Sequence, residues 1–204
     1  MTVIIDYGVG NLFSLMCSLK AIGENALVTD RAEDIERADR LILPGVGAFA
    51  DAADKLRAGG LDRLVLRQAQ SGKPLLGICL GMQLLFQRSF EYGCHRGLGL
   101  IEGDILPFSQ ALGGEYKIPH IGWNAIRPLG DCPLFRYVGS GGYVYFVHSY
   151  YAPADTASAA ALREYGLDFC SAVAAGNVFG CQFHPEKSGG TGLDILRGFV
   201  SIGG

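Results

Sequence analysis

Seven residues constrain this chain more than any others: Gly77-Ile78-Cys79-Leu80-Gly81-Met82-Gln83, preceded by an apolar run from Pro74 and followed by Leu84, Leu85 and Phe86. Pro74 can open a strand, the run behind it is too short and unbroken for a surface helix, and residues 81–87 read as the start of a helix. Cys79 is therefore expected at a strand-to-helix turn. Gly-x-Cys-x-Gly is the cysteine form of a nucleophile elbow, in which small flanking residues let the backbone fold sharply and hold the side chain clear. A helix beginning after Cys79 turns free N–H groups and the positive end of its dipole toward the sulfur, which favours thiolate over thiol. It also leaves the Leu80 N–H available to an oxyanion. The competing reading is a buried structural cysteine; the paired glycines favour the elbow.

Upstream, the chain reads as alternating strands and helices. Residues 3–6 form a short β-branched strand, and Leu12, Leu15, Met16 and Leu19 recur at helical spacing behind Tyr7-Gly8-Val9-Gly10-Asn11. The Gly8-Val9-Gly10 pair resembles the opening of a dinucleotide fingerprint, but the third glycine would fall at Phe13, so a plain turn is favoured. Residues 26–29 and 40–43 read as further strands. Such alternation implies a parallel sheet with helices on both faces, whose functional groups gather at the carboxyl ends of the strands. Pro44-Gly45-Val46-Gly47-Ala48-Phe49 occupies that position after the third strand, and its glycines allow N–H groups to be turned toward a neighbour.

Downstream, residues 97–151 carry alternating apolar residues and many turn signals, as in Tyr143-Val144-Tyr145-Phe146-Val147, so antiparallel strands are expected to extend the parallel core. The last informative stretch is Val178-Phe179-Gly180-Cys181-Gln182-Phe183-His184-Pro185-Glu186-Lys187-Ser188, a strand ending in His-Pro-Glu before a helix over about residues 193–200. His184 and Glu186 stand two apart, so an extended backbone points both to one side. Pro185 keeps His184 extended. A lone histidine reads as structural; one with a carboxylate on its own face, ending a strand, is what a base and its orienter require. Carboxylate, imidazole and thiol then compose a generalised triad.

Composition narrows the classes. With 204 residues, 49% hydrophobic and 18% charged, the chain suits one globular domain spanning residues 1–204. A formal net charge of −3 and no basic run offer nothing to nucleic acid or an anionic membrane. Six cysteines without C-x-x-C spacing suggest neither a zinc site nor a disulfide framework, so no metal and no cofactor is expected. The N-terminus lacks a signal peptide's basic flank, and no apolar stretch approaches the roughly 20 residues of a membrane span. A cytoplasmic, reduced protein is the expectation.

Cys79 within its glycines and Phe183-His184-Pro185-Glu186 together resemble the triad glutamine amidotransferases. Asp6-Tyr7-Gly8-Val9-Gly10-Asn11-Leu12, Leu43-Pro44-Gly45-Val46-Gly47-Ala48-Phe49, Pro119-His120-Ile121-Gly122-Trp123-Asn124, Phe146-Val147-His148-Ser149-Tyr150-Tyr151 and Glu186-Lys187-Ser188-Gly189 narrow the resemblance to the glutaminase subunits of imidazole glycerol phosphate synthase. The pattern departs at Ile121, where Met is expected. The resemblance spans residues 6–199. It implies a mixed, mostly parallel α/β sheet with helices on both faces, a flavodoxin-like three-layer arrangement. It also implies an enzyme that hydrolyses L-glutamine through Cys79, His184 and Glu186. Leu80 with Val46 or Gly47 would hold the oxyanion, and Gly45, Gln83, Ser149 and Tyr150 the substrate. The acceptor chemistry would lie on a partner, a (β/α)8-barrel cyclase used in histidine biosynthesis, met near Asn11, Trp123, Tyr145 and Lys187. Two rivals remain. A glutaminase of another synthase, making anthranilate or pyridoxal phosphate, is disfavoured by Gly122-Trp123-Asn124 and residues 7–11. A catalytically silent docking subunit is disfavoured by the intact triad.

Overall fold

In the computed structural model, which describes residues 1–139 and 142–203, short apolar strands and helices alternate through the first half. They are β1 (Thr2–Ile5), α1 (Leu12–Ala21), β2 (Ala26–Thr29), α2 (Ala32–Arg37), β3 (Arg40–Leu43), α3 (Phe49–Ala58), α4 (Leu61–Gln70), β4 (Leu75–Ile78) and α5 (Leu80–Leu85). The strands pair in parallel in the order β2-β1-β3-β4. Period-two geometry explains why apolar residues follow one another in β1, β3 and β4. Val3, Ile5, Leu41 and Leu43 pack on the side of α2, α3 and α4, whereas Ile4, Ile42 and Leu76 pack on the side of α1.

The second half comprises β5 (Phe86–Ser89), β6 (His95–Arg96), β7 (Ile101–Pro107), β8 (His120–Ala125), β9 (Arg127–Pro128), β10 (Tyr143–His148), β11 (Tyr150–Pro153), β12 (Ala159–Glu164), β13 (Asp168–Ala175), β14 (Val178–Cys181) and α6 (Gly189–Val200). β14 returns to lie parallel beside β4, with Ile78 opposite Cys181. From β14 the sheet continues antiparallel through β13 and β11 to β7, then parallel to β5. Parallel pairing is thus concentrated in β2-β1-β3-β4-β14, and the sheet is mixed. Helix α6 packs its Ile195, Leu196 and Phe199 on the α1 side, so both faces are covered.

Three local expectations are corrected. Helix α5 does not run to Gln87 but stops at Leu85, because N–H groups of Leu98, Leu100 and Gly99 capture the carbonyls of Leu84, Leu85 and Phe86. Those carbonyls are the ones a helix end must place elsewhere. Residues 143–147 do not join the main sheet: among the described strands β10 pairs with β8, a separate two-stranded ribbon with Tyr145 opposite Trp123 and His148 opposite His120, and a single bridge links Tyr145 to His184. Helix α6 begins at Gly189 rather than near Leu193. A Cβ at Gly192 would lie 1.9 Å from the Pro185 carbonyl oxygen, so this glycine permits a close helix start that composition disguises.

Candidate active site

Cys79 stands between β4 and α5 with φ 54° and ψ −110°, a left-handed conformation for a residue with a side chain. Such a backbone costs about 1–3 kcal/mol and persists where its surroundings dictate it. Here they do. A Cβ on Gly77 would lie 2.7 Å from backbone atoms of Gly81 and Met82, and one on Gly81 would lie 1.9 Å from the Leu43 carbonyl oxygen. The two glycines therefore let the turn close against β3, and the Cys79 N–H is tied to the Cys181 carbonyl at 2.8 Å.

Because β14 is the parallel neighbour of β4, residues just beyond Cys181 arrive at the same sheet end as Cys79. His184 is extended (φ −100°, ψ 99°), but Pro185–Lys187 is a 3₁₀ turn and not the extended strand end expected from sequence. That turn, rather than strand alternation, brings Glu186 back on His184, with Nδ1–H donating to Oε1 at 2.8 Å and both side chains 3% exposed. The base is clamped through its backbone: His184 N–H donates to the Tyr145 carbonyl at 2.9 Å, and the Ser188 hydroxyl donates to the His184 carbonyl at 2.6 Å. Burial works against a charged His184 ring, yet hydrogen bonding to Cys79 and Glu186, with their Coulombic attraction, outweighs it and pushes the group up to about 10. The imidazole thus holds its proton at neutral pH. The Cys79 side chain therefore faces a cation across the site.

These groups open on a cavity of about 300 Å³ lined by Val46, Gly47, Cys79, Leu80, Gln83, Glu91, Val147, His148, Ser149, Tyr150 and His184, among others. Its volume is at the lower end of ordinary ligand pockets, roughly 300–1,000 Å³, and suits a ligand the size of an amino acid. Among the described residues, the N–H groups of Leu80, Val46 and Gly47 donate to no protein acceptor, which leaves three donors at the wall. Gly45 lies behind the wall: a Cβ there would meet Gly81 N at 2.8 Å and Leu80 Cβ at 2.9 Å. A larger cavity of about 490 Å³ lies between α3, α4 and residues 94–98, and none of the predicted site residues reaches it.

Three residues that sequence reasoning did not select belong to this site. Gln182 donates toward Cys79 Sγ at 3.7 Å and accepts from Gln83 Nε2 at 3.0 Å. Its signal was available, two residues before His184 on a period-two segment. Glu91 brings a carboxylate to the cavity wall, where it accepts the Phe49 N–H at 2.6 Å. Burial raises Glu91 above its ordinary value, with the Phe49 hydrogen bond opposing. Nothing in the local pattern of Phe90-Glu91-Tyr92 marks it. Tyr7 donates to the Pro44 carbonyl at 2.6 Å and braces residues 44–47 from below; burial, and then the nearby Cys79, push its phenol well above the usual range.

A thiol at a strained turn, a histidine backed by a carboxylate, and free N–H groups around a small cavity are the parts of an acyl-transfer site. The family model for class-I glutamine amidotransferase matches residues 3–201. The chain belongs to that family. At 50% identity over 203 residues, covering 98% of both chains, it is similar to imidazole glycerol phosphate synthase subunit HisH of Syntrophotalea carbinolica. It is 50% identical over 202 residues to the protein of that name from Methanosarcina acetivorans, again covering 98% of each. With its namesake in Wolinella succinogenes it shares 47% over 205 residues, 100% of both chains. Among solved structures, a glutamine amidotransferase superposes with TM-score 0.76 at 20% identity over 98% of each chain. PurLQS from Thermotoga maritima superposes with TM-score 0.69 at 22% identity, covering 98% of this chain and 97% of that one. At those identities the structural likeness speaks for the fold.

In this class-I amidotransferase, three of the four residues expected at a partner surface lie together. The Trp123 and Tyr145 rings stand 4.8 Å apart, the Lys187 ammonium lies 5.6 Å over the Tyr145 ring, and Trp123 Nε1–H donates to the Lys187 carbonyl at 3.3 Å. Trp123 is 61% exposed. Asn11 precedes α1, which packs beside the 3₁₀ turn holding Lys187. Among the described residues, no group of three or more His, Cys, Asp or Glu could hold a metal ion, and no helix is long and apolar enough to cross a membrane.

Proposed function

We propose that this chain, as a single domain over residues 1–204, is the glutaminase subunit of an imidazole glycerol phosphate synthase. It hydrolyses L-glutamine to L-glutamate and passes the ammonia to a (β/α)8-barrel cyclase in the cytoplasm. The observation that carries the chemistry is the buried His184–Glu186 pair at 2.8 Å beside Cys79 on a cavity of amino-acid size. The near full-length likeness to proteins named for that synthase carries the assignment of pathway and partner.

Cys79 thiolate attacks the side-chain amide carbon of glutamine, and the tetrahedral oxyanion is met by Leu80 N–H with Val46 or Gly47 N–H. Each such donor is worth about 3–4 kcal/mol to the barrier. His184 already holds the proton that the departing ammonia needs, and Glu186 fixes its tautomer and steadies its charge. Water then releases glutamate from the thioester, with His184 as base. Gln83, Ser149 and Tyr150 orient the amino-acid end of the substrate, and the Glu91 carboxylate suits its ammonium group. Asn11, Trp123, Tyr145 and Lys187 meet the cyclase. Ammonia released to bulk water at neutral pH is protonated and lost as a nucleophile, so the wall beside His184 is where the partner has to sit.

The test is glutamate release from glutamine by the purified chain, alone and with the cyclase. Turnover that rises strongly with cyclase is expected; no glutamate in either sample would overturn the reading.

A further inference from the structure

The inner face of the β8–β10 ribbon carries a chain of hydrogen bonds whose directions chemistry fixes one by one. His148 Nδ1 lies 2.8 Å from the Tyr150 carbonyl oxygen, which only accepts, so His148 carries its proton on Nδ1. Burial is the main cause that holds His148 down at about 3, so the ring is neutral and Nε2 is an acceptor. His120 Nδ1, 2.9 Å away, must therefore be the donor. Burial, and then Arg163, lower His120 to about 4, which leaves its Nε2 to accept from Asn124 Nδ2 at 3.0 Å. Asn124 Oδ1 in turn accepts from the Arg163 guanidinium at 3.0 Å. Proton donation runs one way, from Arg163 through Asn124, His120 and His148 to the Tyr150 carbonyl. Reversing any link opposes two donors or two acceptors.

The far end of the chain lies inside the site. The Tyr150 carbonyl also accepts from Gln83 Nε2 at 3.3 Å, whose other proton goes to Gln182 Oε1 at 3.0 Å, and Gln182 Nε2 faces Cys79 Sγ at 3.7 Å. Both donors of Gln83 are thereby committed. His120 is absent from the cavity wall; it is stacked between the rings of Phe146 and Tyr165, with centroids 4.9 and 4.2 Å away.

We propose that His120 and His148 form a one-way hydrogen-bond relay that positions the Tyr150 carbonyl, and through it Gln83, for glutamine binding, so that His120 and Asn124 are positioning residues for a substrate they do not touch. The proposal rests on the glutaminase reading above, and its test separates the two.

Nitrogen NMR of the wild-type chain with isotope-labelled histidine reads the tautomers directly. Both rings neutral and protonated at Nδ1 at neutral pH is the expected result; a His148 that is cationic or protonated at Nε2 overturns the relay. In the complex with cyclase, His120→Leu strips His148 Nε2 of its donor. It should raise the glutamine KM by about 10-fold or more while kcat changes by less than about 3-fold, the effect of one buried unpaired acceptor acting on substrate binding. His120→Gln restores a donor and an acceptor and should return KM to within about 3-fold of wild type. An unchanged KM in folded His120→Leu, beside an active wild type, overturns the relay. So does a His120→Gln KM as high as that of His120→Leu. If His120→Leu does not fold, the NMR spectrum and the His120→Gln KM decide. An inactive wild-type complex would instead sink the glutaminase reading, and the NMR result would judge the relay by itself.

Discussion

His184 sets how the site responds to pH. Its value in the folded chain, about 10, stands above the ordinary 6.5, because its bonds to Cys79 and Glu186 outweigh a burial that favours the neutral ring. A raised value means that the folded state binds the proton more tightly than the unfolded chain does. The resulting stabilisation is complete below about 6.5 and is lost as pH rises through about 10. Urea midpoints of wild type and His184→Gln should accordingly converge between neutral pH and pH 10, and parallel curves would show that His184 is not charged in the fold. Partner-stimulated turnover should fall over the same alkaline range, as the proton destined for ammonia is lost. Glu186→Gln keeps an acceptor beside Nδ1 and removes the charge that supports imidazolium. It should lower turnover by about 10- to 100-fold, less than His184→Ala, and shift the alkaline limb to lower pH. Steady-state kinetics with cyclase present decides this. An unaltered rate and pH profile would reduce Glu186 to a buried structural charge.

Among the elements, the segment after β3 carries the sharpest test. Gly47 holds φ at 93° with nothing within 4 Å of where a Cβ would stand, so its conformation, rather than its packing, is what glycine permits. Gly47→Pro removes an N–H and excludes that φ. Turnover with cyclase should fall by about 100-fold with little change in glutamine affinity, as for a lost oxyanion donor; equal losses in both would place the segment in substrate binding instead. The parallel strands and the Cys79 turn are legible in sequence because each is specified locally, by unbroken apolar runs and by glycines where two backbones meet. What is not legible depends on partners distant in sequence. Helix α5 ends early because residues 98–100 take its carbonyls. Residues 143–147 leave the main sheet because they pair along their whole length with β8. Spacing pairs His184 with Glu186 correctly but for the wrong reason, since a 3₁₀ turn and not an extended strand joins them. Glu91 at the cavity wall is held by Phe49 at the start of α3, 42 residues earlier in the chain.

In the molecule as a whole, one short path joins the Cys79–His184 site to the proposed docking face. The Tyr145 carbonyl holds the His184 N–H, and the Tyr145 ring packs with Trp123 and Lys187 at the surface. Trp123→Ala should weaken cyclase binding by about 30-fold, as for an aromatic interface anchor worth about 2 kcal/mol, without lowering the melting temperature of the free chain. Calorimetric titration against the cyclase measures it, and undiminished affinity would move the interface elsewhere. On the proposed reading Cys79 makes ammonia for a reaction completed on another chain. That reading is tested most directly by assaying Cys79→Ser in complex with the cyclase, comparing product formation from glutamine with product formation from added ammonium salt. Glutamine-dependent synthesis should be lost while ammonia-dependent synthesis continues at the wild-type rate. Equal loss of both activities, or survival of both, would rule out Cys79 as the source of the ammonia.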